Sequence, residues 1–315
     1  MTPSLEAREL TKQFGSFVAL DRLTLKVDGA KCVGFLGPNG AGKTTTLKMF
    51  TDLIFPTHGE AFVNGISVQR DRKSALSSCG ALIESPEVYG SLSPREALEL
   101  VGALRGMARA EIRSRTDEVL AAVKMTDWAD QKVGRFSKGM KQRVNIASTL
   151  LSDPSVLLLD EPSTGLDPRG MAEVRSIIRD LKGQGRLIFF SSHILSEVVD
   201  VCDEVALINH GKLLFYDTLQ NVTARFTQGA TSIDAEFLGP VRDDVAAGRI
   251  ATLPGVAGWS RLDDRRLSLM IQGGPPARAK VLEQLSALGL GLVGFHESRS
   301  ALEEIYLREI STGDS

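Results

Sequence analysis

The chain has 315 residues, 43% hydrophobic and 24% charged. That is enough apolar surface for one large domain and a smaller one, and it excludes disordered and collagen-like classes. A formal net charge of −2 and a pI near 6.2 give no electrostatic footprint for nucleic acid, so none is expected as a partner. Cys32, Cys79 and Cys202 stand far apart without a CxxC pair, so neither a zinc site nor a disulfide framework is indicated.

Met1 to Arg8 lack the apolar core of a signal segment, and no uninterrupted apolar stretch nears the ~20 residues of a membrane span. The chain is therefore expected to be soluble by itself. Up to about Phe226, short apolar runs alternate with helical segments, which predicts an α/β domain with a largely parallel sheet. The first clear strand, Cys32 to Leu36, leads into Gly37-Pro38-Asn39-Gly40-Ala41-Gly42-Lys43-Thr44, followed by Thr45. This fits the phosphate-cradling pattern GxxxxGK[ST]. Glycines let backbone N–H groups close around polyphosphate oxygens, and the following helix presents its positive end. Lys43 reaches the terminal phosphates and Thr44 can ligate Mg²⁺, so the expected cargo is ATP or GTP with Mg²⁺.

Residues 92–150 read as mostly helical, opening on Ser93-Pro94-Arg95-Glu96, a capping box with proline at the first helical position. Within this stretch, Phe136-Ser137-Lys138-Gly139-Met140 precedes a helix over Lys141 to Leu151 with Val144, Ala147 and Leu151 on one face and Ser137 at its cap. Such a terminus, with a hydroxyl and unpaired N–H groups, is a second anion site that one nucleotide at Gly37 to Thr44 does not need. Val156 to Leu159 is a buried strand ending in Asp160 and Glu161, where the first acid can hold Mg²⁺ and the second polarise an attacking water. Leu187 to Phe190 is another buried strand with a polar cluster at its carboxyl end, where sites of open α/β sheets sit.

The polar patch Thr227 to Ser232 marks a boundary, giving an expected α/β nucleotide-binding domain over 1–226 and an accessory α+β domain over 227–315. The latter reads as strand (Ile233 to Phe237), helix, strand (Val256 to Ser260), strand (Leu267 to Ile271), helix (Ala277 to Leu288), strand (Leu290 to Phe295) and helix (Ala301 to Ile310). This order suits a ferredoxin-like βαββαβ module. The stripe Leu302, Ile305, Tyr306 and Ile310 reads as packing, and the unit shows no catalytic constellation.

Together these motifs, over residues 4–222, resemble the ATPase subunit of an ATP-binding cassette (ABC) transporter, a P-loop NTPase. Gly37 to Thr44 resemble its Walker A loop and Asp160 and Glu161 its Walker B. Thr164-Gly165-Leu166-Asp167 resembles the D-loop and His193 the switch histidine. Phe14 resembles the aromatic that stacks on adenine. Ser137 and Gly139 stand where the LSGGQ signature has its serine and second glycine, although Phe136, Lys138 and Met140 depart from that consensus. Glu84 stands where most of the family carries the Q-loop glutamine; it can still approach Mg²⁺, but adds negative charge beside the phosphates. Such a glutamate resembles the branch exporting bacitracin-like and lantibiotic peptides.

The resemblance implies a head-to-tail homodimer sandwiching two ATP molecules, each Lys43 loop facing the partner's Ser137 and Gly139. Glu161 is implied as general base, His193 as a γ-phosphate contact and Asp167 as the coupling residue. A separate multispanning permease would dock near Glu84 at the cytoplasmic face of the membrane, and the substrate would be a drug, peptide antibiotic or other amphipathic molecule. ABC-type ATPases acting on DNA or ribosomes share these motifs but carry tandem cassettes or a long coiled coil, and this sequence has one cassette and no sustained heptads.

Overall fold

The computed structural model describes residues 2–84, 89–222 and 230–297. The chain divides into two compact units, Met1–Asp217 and Thr218–Ser315. The boundary expected after residue 226 lies outside the described residues.

In the first unit, β1 (Ser4–Phe14) and β2 (Phe17–Asp28) pair antiparallel from Ser4↔Asp28 to Phe14↔Phe17. Buried and exposed residues alternate along the second half of β2, as expected of a strand with one wet face. β3 (Cys32–Leu36) is buried throughout and feeds the glycine-rich loop and α1 (Lys43–Phe50). β4 (His58–Val63) and β5 (Ile66–Ser67) complete a four-stranded sheet of order β2-β1-β4-β5.

After α2 (Arg72–Ser77) and β6 (Cys79–Leu82) comes the helical stretch α3 (Pro94–Leu104), α4 (Arg109–Ala122) and α5 (Lys138–Leu150). The capping box forms as the sequence predicts: Glu96 N–H donates to Ser93 Oγ at 3.2 Å and Ser93 N–H to Glu96 Oε2 at 2.7 Å. There follow β7 (Val156–Asp160), α6 (Pro168–Lys182), β8 (Leu187–Ser192), α7 (Leu195–Val201), β9 (Glu204–Asn209) and β10 (Lys212–Thr218).

The second sheet has the order β10-β9-β3-β8-β7-β6, and the pairs β9/β3, β3/β8, β8/β7 and β7/β6 are parallel. Phe35, Phe50 and Phe189 pack beneath it, with ring centroids 5.2 and 6.4 Å from Phe189. Register decides where the polar groups emerge: Leu36 pairs with Ser192, and Asp160 with Ser191. The carboxyl ends of β3, β7 and β8 therefore open along one edge, the place where such sheets bind ligands.

In the second unit, β11 (Ala230–Phe237), β12 (Val256–Arg261), β13 (Arg266–Gln272) and β14 (Leu292–Glu297) form an antiparallel sheet of order β12-β13-β11-β14. Ile233, Ala235, Phe237, Leu267, Leu269 and Ile271 share a core with Val281 and Leu285 of α8 (Gly274–Ala287). The expected first helix is a short one, Asp243–Val245, continuing as π-helical Ala246–Ile250. The helix predicted over Ala301 to Ile310 lies outside the described residues.

The three thiols are free and buried. Cys32 and Cys202, distant in sequence, bring their sulfurs to 3.8 Å. Burial pushes the Cys79 thiol up to about 12, against a smaller opposing pull from Arg105, so it is inert. Gly34 of β3 is a packing requirement: a Cβ there would meet Val198 Cγ1 of α7 at 2.5 Å. We predict that Gly34→Ala destabilises the first unit by about 1–3 kcal/mol, the cost of overpacking. An unchanged urea midpoint would contradict the close fit of α7 on β3.

Candidate nucleotide site

The loop after β3 needs glycine for its own packing before any ligand is considered. A Cβ on Gly37 would lie 2.3 Å from the Ile208 carbonyl oxygen, and Gly42, at φ 105°, would press on Ala19 O at 2.7 Å. The Ala41 N–H closes the turn onto Pro38 O at 3.2 Å. Lys43, 5% exposed, crosses the loop and donates to Gly37 O at 2.8 Å and Pro38 O at 3.0 Å. Its Nζ is also 3.4 Å from Glu161 Oε1.

Thr44 Oγ1 donates to Asp160 Oδ2 at 2.8 Å, and Ser191 Oγ donates to Asp160 Oδ1 at 2.6 Å. The same Ser191 oxygen accepts from the Glu161 N–H at 2.9 Å. Glu161 takes a left-handed φ of 43°, which turns its side chain off the line of β7. Its Oε2 accepts from Thr164 Oγ1 at 2.6 Å and lies 2.8 Å from His193 Nδ1. An ionised carboxylate only accepts, so Nδ1 carries the proton in that contact. Burial alone would raise the Glu161 carboxyl, but the Thr164 hydroxyl, the Lys43 ammonium and His193 outweigh it and hold it below the usual carboxylate range.

These groups border a cavity of about 320 Å³ lined by Phe14, Phe17, Ala19, Asn39, Gly40, Gly42, Lys43, Thr44, Thr45 and Glu161. Phe14 is 50% exposed, presenting its ring to the cavity instead of joining the core, and Phe17 joins it. A larger cavity of about 600 Å³ on the antiparallel sheet, lined by Glu9, Asp21, Arg22, His58, His210 and Lys212 among others, contains none of the chemistry. Functional groups, not volume, mark the site.

The remaining candidates stand elsewhere. Ser137 caps α5 by accepting from Met140 N at 3.2 Å, and Asp167 caps α6 by accepting from Gly170 N at 3.1 Å. Gly139 lets these two helices touch, since a Cβ there would sit 3.3 Å from Gly170 Cα. Glu84 is not brought to Thr44 and Asp160; its Oε1 accepts from Lys48 Nζ at 2.6 Å. The sequence reading missed Ser191, Phe17, Thr164 as a partner of Glu161, and Gln142, whose Nε2 donates to Pro162 O at 2.9 Å. The polar run Ser191-Ser192-His193 after an apolar strand was the available signal for the first.

Thr44 and Asp160 offer oxygen donors alone, the set that Mg²⁺ accepts. Among the described residues no group of three or more His, Cys, Asp and Glu side chains is arranged to hold a metal ion.

A phosphate loop after a central parallel strand, with the acid pair at the end of β7 and with β8 lying between the two strands, defines a P-loop nucleotide-binding domain. A family model described as ABC transporter matches residues 20–164. The bacitracin transport ATP-binding protein BcrA of Bacillus licheniformis is 41% identical over 215 residues, spanning 68% of this chain and 69% of the relative. The daunorubicin resistance ATP-binding protein DrrA3 of Streptomyces coeruleorubidus is 32% identical over 304 residues, spanning 96% and 94%. A solved ATP-binding subunit of an ABC transporter superposes with a TM-score of 0.62 at 29% identity, over 70% of this chain and 92% of that one. The chain belongs to the ABC transporter family, as an ATP-hydrolysing subunit.

The Glu161 environment yields a prediction. A carboxyl with a lowered folded pKa contributes stability that is complete above its unfolded pKa and is lost as pH falls through the folded value. Thr164→Val removes one of the hydrogen bonds holding it down, so the Glu161 titration, followed by carboxyl ¹³C NMR, is expected to move upward, and the acid-dependent loss of stability to become smaller and to be complete at higher pH. An unmoved titration would refute the assignment of Thr164.

Proposed function

We propose that this subunit powers export of a drug, peptide antibiotic or other amphipathic molecule through a separate membrane permease, as a head-to-tail pair at the cytoplasmic face of the membrane. The observation that carries the ATPase chemistry is the Glu161 carboxylate, held ionised between Lys43, Thr164 and His193 at the end of a buried strand. The export reading draws on relatives named for bacitracin transport and daunorubicin resistance. Among the described residues no helix is long and apolar enough to cross a membrane. An apolar groove of about 340 Å³ lined by Leu53, Leu76, Ala81, Leu82 and Ile83, next to Glu84, suits a permease segment.

Bound Mg²⁺ supplies charge neutralisation at the polyphosphate, and Thr44 and Asp160 would hold it. Lys43 exchanges the carbonyls of Gly37 and Pro38 for terminal phosphate oxygens. The backbone of Asn39 to Thr45 cradles the remaining phosphates, and Phe14 offers a stacking face to adenine. Glu161 orients or deprotonates the attacking water, with His193 alongside toward the γ-phosphate. Ser137 and Gly139, which do not line this cavity, serve the site of the partner copy, and Asp167 lies where the two copies would couple.

Glu161→Gln is expected to keep ATP binding and lose at least about 100-fold in turnover, the lower end of general-base contributions. Turnover near wild type in a phosphate-release assay would refute the role. Mixing Lys43→Ala and Ser137→Ala copies should restore partial turnover if each pocket takes residues from two chains; no recovery would argue against the shared pocket. For the cargo, a deletion strain is expected to become sensitive to amphipathic antibiotics, and an unchanged susceptibility panel would count against export of such compounds.

A further inference from the structure

Lys48 lies in the last turn of α1, and its ammonium meets the Glu84 carboxylate at 2.6 Å. The same helix begins with Lys43 and Thr44 of the phosphate site. Lys48 follows Thr44 by four residues, about 6 Å along the axis at ~1.5 Å per residue. One helix thus carries the phosphate-binding hydroxyl and ammonium near its start and a counter-charge for Glu84 near its end. Glu84 sits two residues beyond β6, at a left-handed φ of 59°, so its backbone is held in a conformation a non-glycine residue seldom takes.

A carboxylate at this position feels two cations, the Lys48 ammonium and a divalent ion at Thr44 and Asp160. A glutamine here could offer its amide oxygen to the divalent ion but no charge to Lys48, so the ion pair exists only because residue 84 is acidic. The contact is wet, with side chains 28% and 67% exposed. An exposed ion pair of this kind shifts an equilibrium by about fivefold at most, which makes it a bias and not a lock.

Building on the nucleotide-site reading, we propose that Lys48 is a positioning residue: it holds the Glu84 carboxylate at the end of α1 and releases it toward the metal when Mg²⁺ and nucleotide bind. The ion pair thereby sets how much Mg²⁺ nucleotide binding requires. Charge competition is the whole mechanism, and no bond is made or broken.

The test is calorimetric titration of ATP into the full chain over a range of Mg²⁺ concentrations and in EDTA. It uses the wild type, Lys48→Met, Lys48→Arg, Glu84→Gln and the Lys48→Met/Glu84→Gln double variant. Lys48→Met is expected to lower the half-saturating Mg²⁺ by about two- to fivefold, Lys48→Arg to stay near wild type, and Lys48→Met to have no effect on the Glu84→Gln background. An equal shift in both backgrounds, or no shift in the wild-type background, overturns the proposal. Should Lys48→Met fail to melt cooperatively, Lys48→Gln takes its place in the same cycle. Absence of ATP binding by the wild type would instead overturn the nucleotide site itself, and is recognisable as that separate result.

Discussion

The carboxylate of Asp160 is 6% exposed and has both oxygens engaged, one by Thr44 of α1 and one by Ser191 of β8. A buried carboxylate without partners would cost several kcal/mol, so these two hydrogen bonds are a condition for β7 ending where it does. They also fix two neighbours. Thr44 sets the rotation of the first turn of α1, and with it the direction of the loop amides. Ser191 receives the Glu161 N–H, which holds that residue in its left-handed turn and swings its side chain toward Lys43. One buried acid therefore aligns the phosphate loop with Glu161, through contacts that involve no ligand.

Close approach of backbone to backbone is the second constraint, and it reaches the part of the molecule that does not line the cavity. Gly139 and Gly170 let the first turns of α5 and α6 touch, while Gln142, one turn further along α5, bonds the Pro162 carbonyl just past Glu161. α5 is thus tied to the turn that follows Glu161. Glycine at 139 has a packing reason inside one subunit, beside any contact with a phosphate from another. That explains why Lys138 and Met140, which depart from the family consensus, leave the helix start intact: the cap needs Ser137, and the crossing needs Gly139.

Buried parallel strands were legible because they are continuous apolar runs, and the expected limits of Cys32 to Leu36 are those observed. β8 runs on through Ser191 and Ser192, two polar residues that look like a loop in sequence; both are buried because Asp160 and Glu197 accept their hydroxyls. α5 begins at Lys138, ahead of the expected Lys141, because its cap already nucleates the turn. β1 escaped notice since register shifts between Ala7 and Gln13 break its period of two. The Lys48 and Glu84 pair spans 36 residues, and no local periodicity joins residues that tertiary packing alone brings together. The exposure of Phe14 was likewise a tertiary fact, since an aromatic at the end of a strand reads as core by default.

The charges around Lys43 bear directly on the proposed chemistry. In this structure its ammonium is shared between two loop carbonyls and Glu161, so an arriving polyphosphate would compete with them for the same cation. In the proposed cycle Lys43 turns to phosphate oxygens, which weakens one of the influences holding the Glu161 carboxyl down, while burial opposes them and pulls it up. Thr164 and His193 remain on its other oxygen and keep it from drifting away.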